Sequence, residues 1–131
     1  MPALEGGELL AAFEAGRIDP AHFPHRAHVQ VGFELLECHR FPEALLHLAR
    51  GLRRLAARAG RPEVYHETIT AAFLALIAER RSRGRYAGWK DFAARNPDLF
   101  RKELLEEFYD RATLQSPIAR ETFILPRPLA A

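Results

Sequence analysis

Apolar residues recur along this chain at intervals of three and four, the spacing of one helix face, and strand-like alternation never survives beyond four residues. The first such segment, residues 4–15, carries Leu9, Leu10 and Phe13 and stops at Gly16, a residue suited to a helix C-terminus, before the turn Ile18-Asp19-Pro20. Residues 24–38 read as a second helix, with Pro24 where a first turn tolerates proline. A third starts near Pro42, carries Leu45, Leu46, Leu48, Leu52 and Leu55, and stops at Gly60, with Arg50, Arg53 and Arg54 on its far face. After Arg61-Pro62, the pattern Ile69, Phe73, Leu76 and Ile77 predicts a fourth helix over about 65–81, ending in the charged loop RRSRGR. Residues 88–95 and 97–109 read as a short and a longer helix. The tail after Ser116, punctuated by Pro117, Pro126 and Pro128, reads as an irregular strap. The expected fold is therefore all-α: one domain over 1–131, a bundle of about five to six helices with helices two, three and four as its core.

Composition narrows the function classes. At 131 residues and 48% hydrophobic content the chain can bury a core without staples. Its 19 basic against 17 acidic residues give a net charge of only +2, too weak a balance to point to nucleic acid. The short basic and aromatic stretch RRSRGRYAGWK does not change that. Cys38 is the single cysteine, which excludes an internal disulfide and a cysteine-rich zinc module; it reads as a small buried apolar residue. No basic leader and no run of about 20 apolar residues is present, so the expectation is a cytoplasmic protein with no membrane partner.

The histidines carry the candidate chemistry. At about 100° per residue, His25, His28, Val29, Gly32, Leu35 and Leu36 share one face of the second helix, while Arg26, Gln30, Glu34 and Glu37 gather on the other. Gly32 would leave space beside the imidazoles. The same construction turns His66 inward on the fourth helix, with Thr70 beside it and Glu67 at the rim. Two helices separated by one antiparallel helix run in the same direction, so His25, His28 and His66 fall at one end of the bundle. Buried imidazoles need partners, and a divalent ion is an economical one: the i, i+3 pair plus His66 would supply three nitrogens and leave a position open for water. Zinc is the default ion, with copper, iron or manganese as alternatives.

The remaining candidates have ordinary readings beside the functional one. A single inward histidine is usually satisfied by a backbone carbonyl, and an acid in a first turn, such as Glu67, is welcome for the helix dipole. His22 precedes the second helix, His39 sits at a helix end, and His47 lies on the third helix without a partner motif. Arg120 could hold an anionic group bidentately, or simply be a surface arginine.

The strings FPHRAHV, YHETIT and SPIAR, in that order, resemble the landmarks of a group of small uncharacterised bacterial proteins with the patterns F-x-H-x-x-H-V/L, Y-H-E-T-x-T and S-x-x-A-R. The resemblance spans Phe23 to Arg120 and picks out His25, His28, Tyr65, His66, Glu67, Thr68, Thr70, Ser116 and Arg120; it implies no particular activity. Where that pattern shows Tyr-Ser, this chain has Tyr109-Asp110.

Taken together, these features lead to an expected metal-assisted hydrolysis, or related polar chemistry, on a small-molecule substrate. His25, His28 and His66 would hold the ion, Glu67 would shuttle the proton, and Thr70 and Arg120 would bind substrate in a cavity lined by Gly32, Phe73 and Thr70. A redox or oxygen-dependent metalloenzyme is the enzymatic alternative. Outside catalysis stand a metal- or haem-binding protein and a helical interaction module using the arginine-rich third helix. Exposed parts of the first and sixth helices leave a homodimer open. No glycine-rich phosphate loop, G-x-S-x-G, C-x-x-C or H-E-x-x-H run is present.

Overall fold

The computed structural model describes residues 7–127, and within them the backbone is helical with no strand. Helix α1 spans Gly7–Glu14, α2 His25–Cys38, α3 Phe41–Arg58 and α4 Glu67–Arg83, followed by the short helices α5 (Trp89–Arg95), α6 (Arg111–Leu114) and α7 (Pro117–Glu121). The first three predicted boundaries agree within a residue or two, except that residues 4–6 lie outside the described residues. Gly16 and Gly60 adopt φ of 72° and 73°. At each, the next amide turns back to a carbonyl five residues earlier, Arg17 N–H to Ala12 O and Arg61 N–H to Ala56 O, ending α1 and α3 as expected of glycine there.

Helices α2, α3 and α4 pack pairwise into a three-helix core, with α1 against α2 and α3, α5 against α2 and α7 against α4. One continuous apolar cluster runs from Leu9 to Tyr109. Helix α2 is central, and every residue from Val29 to Leu36 is buried, including Gln30 and Glu34. The middle of the predicted polar face of α2 is thus covered, because neighbours approach it from several sides, while Arg26 and Glu37 at its two ends stay exposed.

Residues 97–109 are not one helix. They form two 3-10 segments, Pro97–Phe100 and Lys102–Glu107, joined at Arg101, whose extended backbone (φ −91°, ψ 119°) breaks the run. The expected strap is partly helical, since Ser116 caps α7 by accepting a hydrogen bond from Ala119 N–H at 3.3 Å. Beyond α7 the described chain has no regular secondary structure and is pinned by two side chains. The Thr68 hydroxyl donates to Thr122 O (2.8 Å) and accepts from Ile124 N–H (3.1 Å), and the Tyr109 hydroxyl donates to Ile124 O (2.7 Å). Cys38 is exposed at the last turn of α2, contrary to its expected burial. No helix among the described residues is long and apolar enough to cross a membrane.

Arginines on α3 clamp α1 and its exit turn. Arg54 donates to Glu14 O (3.1 Å), and Arg58 donates to Gly16 O (2.6 Å) and Ile18 O (2.8 Å). Beneath them, the tip of the Phe13 ring lies against the bare backbone of Gly51, where a Cβ would stand 2.1 Å from the ring.

Candidate functional site

A cleft of about 310 Å³ opens between the start of α2, the C-terminal half of α3 and the start of α4. Its walls are largely aliphatic, from Leu52, Leu55, Ala56, Val64 and Ile69, and its polar lining comes from His28, Tyr65, His66 and Thr70. Because α3 returns antiparallel between them, the first turns of α2 and α4 share this end of the bundle, as their connectivity predicts.

His28 is the polar group left open to the cleft. Its ring packs 4.5 Å from that of Phe23, and among the described residues neither ring nitrogen has a hydrogen-bond partner. Burial, reinforced by the charge of Lys102 and by that of His25 when protonated, lowers its pKa from 6.5 to about 4, so the ring is neutral at pH 7.

His25, one turn earlier, faces elsewhere. Its Nε2–H donates to Leu99 O at 2.9 Å, and its ring meets Phe73 edge-on at 4.9 Å. Burial lowers its pKa as well, partly offset by that hydrogen bond. His66 caps α4: Nδ1 accepts from Ile69 N–H at 3.1 Å while Nε2–H donates to Leu114 O at 2.7 Å. Both nitrogens are therefore occupied, the tautomer follows from the two partners, and burial lowers the pKa.

The expected proton shuttle, Glu67, does not line the cleft. Its carboxylate accepts from the Tyr65 hydroxyl at 2.6 Å and pairs with Arg53 at 3.3 Å, while the Arg53 guanidinium lies 4.8 Å from the Tyr65 ring centre. Burial and the Glu67 contact push the Tyr65 pKa up to about 12, so the phenol stays protonated. Thr70 lines the cleft, although its hydroxyl donates back to His66 O at 2.8 Å. Arg120 donates to Glu63 O (3.0 Å) and Val64 O (3.4 Å), holding the 3-10 turn Pro62–Val64 before α4. It also borders a second hollow of about 320 Å³ on the other side of His66, together with Lys102, Glu106 and Arg111.

The structure brings some of the expected site residues together and separates others. His28, His66 and Thr70 share one cleft, whereas His25 is turned to Leu99 and Phe73. Gly32 leaves no space: a Cβ there would stand 3.1 Å from Ile77 Cδ1 and 3.3 Å from Leu74 Cδ1, so the glycine serves close packing of α2 on α4. Several residues of the second and third landmarks tie the start of α4 to the C-terminal segments by separate hydrogen bonds, His66 to Leu114 O, Thr68 to Thr122 O and Ile124 N–H, and Arg120 to Glu63 O and Val64 O. Asp110, the departure from the resembling pattern, caps α6 by accepting from Thr113 N–H at 2.9 Å.

Sequence reasoning passed over a second cluster. Among the described residues, the one trio of His, Cys, Asp or Glu whose ligand atoms all lie within 4.8 Å of one another is Glu14, His39 and His47, which could hold a metal ion. His25, His28 and His66 do not meet that spacing. His39 ends α2, His47 lies in the second turn of α3 and Glu14 ends α1. No local motif announces the trio, because the fold brings Glu14 in from a separate helix.

Comparison with family models, curated proteins and solved structures gives no match.

Proposed function

We propose that the protein binds a small, largely apolar molecule in the cleft between α2, α3 and α4, with one polar group of the ligand on the His28 imidazole. The observation that carries this reading is a neutral imidazole with unpartnered nitrogens on an otherwise aliphatic concave surface. Such a ring both donates and accepts, so it suits a hydroxyl, amide or protonated acid, and aliphatic walls with one convergent polar group are the usual make-up of a ligand pocket.

The test is a fragment screen with aliphatic and aromatic alcohols, carboxamides and carboxylic acids, read by protein-detected NMR. Shifts centred on His28, Leu52 and Ile69 that vanish in Ala56→Phe, which fills the cleft, support the reading. Shifts that persist in Ala56→Phe, or none at all, overturn it.

Metal-assisted hydrolysis in the same cleft is the second reading, favoured by one observation: His28 is held in the neutral form a metal requires. For a three-nitrogen site, His66 must surrender one of its two hydrogen bonds, and His25 must swing toward the cleft or use Nδ1. Each lost hydrogen bond costs roughly 1 kcal/mol, which zinc–imidazole bonds can offset. Zinc-dependent hydrolysis of nitrophenyl esters, abolished by His28→Ala and retained in His47→Ala, would establish it. Zinc uptake indifferent to His28→Ala would remove it.

A further inference from the structure

We propose that Glu14, His39 and His47 form a binding site for a divalent first-row transition-metal ion, separate from the cleft. His28 and His39 are 11 residues apart near opposite ends of α2, about 16 Å along its axis. The two sites therefore lie at different ends of the bundle.

The geometry is close to that of a coordination shell. Zinc bonds of about 2.0–2.1 Å in a tetrahedron place neighbouring ligand atoms roughly 3.3 Å apart. His47 Nδ1 already lies 3.0 Å from Glu14 Oε1, and the His39 and His47 rings stack with centres 4.4 Å apart and planes 19° from parallel. With all ligand atoms inside 4.8 Å, side-chain rotation alone can draw them onto one ion. Two imidazoles and a carboxylate make a borderline nitrogen and oxygen set, suited to zinc, cobalt, nickel or copper(II) rather than calcium or magnesium. The site is at the surface, with the side chains of His47 and Glu14 38% and 40% exposed, so an ion can enter and keep a water on its open side.

The backbone holds the ligands in place beforehand. Arg54 on α3 grips Glu14 O and Arg58 grips Gly16 O, which fixes the end of α1. His39 opens the connection to α3, which is only two residues long, 39–40. An ion bound here would join α1 to the α2–α3 hairpin and stabilise the folded chain by mass action, because the unfolded chain does not bring Glu14 near the histidines.

The test is titration of tag-free, chelator-treated protein with zinc chloride by calorimetry, with cobalt(II) absorption as the readout of ligand type. The expected result is one equivalent bound at micromolar or tighter affinity, weakened at least tenfold in His39→Ala and in His47→Ala, weakened in Glu14→Gln, and unchanged in His28→Ala. Far-ultraviolet circular dichroism of each variant separates loss of the site from loss of the fold, and His39→Gln gives a second variant with a smaller change in side-chain size. No binding up to millimolar zinc overturns the proposal. So does binding that survives both His39→Ala and His47→Ala, or binding lost in His28→Ala, which would place the ion in the cleft.

Discussion

Acid should weaken this fold through His28 at a pH where a surface histidine would do nothing. In the folded protein the ring sits against Phe23 with the charges of His25 and Lys102 facing it, and its pKa falls from 6.5 to about 4. A histidine with a lowered folded pKa binds fewer protons folded than unfolded between those values. Stability therefore rises with pH across that window: it is complete above about 6.5 and is lost as pH falls toward 4. A gap of about 2.5 pH units, at about 1.36 kcal/mol each, is worth about 3 kcal/mol in full, of which roughly 2.5 kcal/mol falls between pH 7 and pH 4.5. The assay is urea unfolding of chelator-treated protein at both pH values, wild type against His28→Gln, so that contributions from His25, His66 and Glu34 cancel. His28→Gln should lose about 2.5 kcal/mol less than wild type on acidification. Equal losses in the two proteins would refute the assignment of a half-buried His28 held neutral.

Three other substitutions probe features that set the core and the C-terminal segment. Gly51→Ala should destabilise by about 1–3 kcal/mol in urea unfolding although alanine favours helix by about 1 kcal/mol, because its Cβ would meet the Phe13 ring; a neutral or stabilising result would mean that α1 does not pack there. Thr68→Val removes a hydroxyl that both donates to Thr122 O and accepts from Ile124 N–H, so it should cost roughly 1–3 kcal/mol and speed proteolysis beyond α7, and an unchanged cleavage rate would contradict that pinning role. Burial raises the Glu34 pKa, and its Oε2 has no hydrogen-bond partner. A raised carboxyl pKa penalises the folded state above it, so Glu34→Gln should stabilise by about 1 kcal/mol at pH 7 and by less as pH falls; destabilisation at pH 7 would show that the carboxylate is needed.

What could be read along the chain was whatever local spacing controls. Leucine and phenylalanine at helical intervals, together with Gly16 and Gly60, were enough for the class of fold and the ends of α1 and α3, because a helix terminates on interactions within a few residues of itself. The sharing of one end by His28 and His66 also followed, since it depends only on three helices alternating in direction. Local spacing could not say how many neighbours surround each helix. The burial of Gln30 and Glu34, and the filling of the space beside Gly32 by Ile77 and Leu74, were settled by the packing of α1, α4 and α5 around α2. The same holds for the imidazoles. A helical wheel points His25 and His66 inward, but whether a ring nitrogen meets a ligand or a carbonyl depends on where Leu99 and Leu114 lie, residues 74 and 48 positions away. The Glu14, His39 and His47 cluster is the extreme case, because its members come from three helices and share no spacing rule. Glu14 reaches the histidines only because α1 docks on α3, where Phe13 lies against Gly51 and Arg54 donates to Glu14 O.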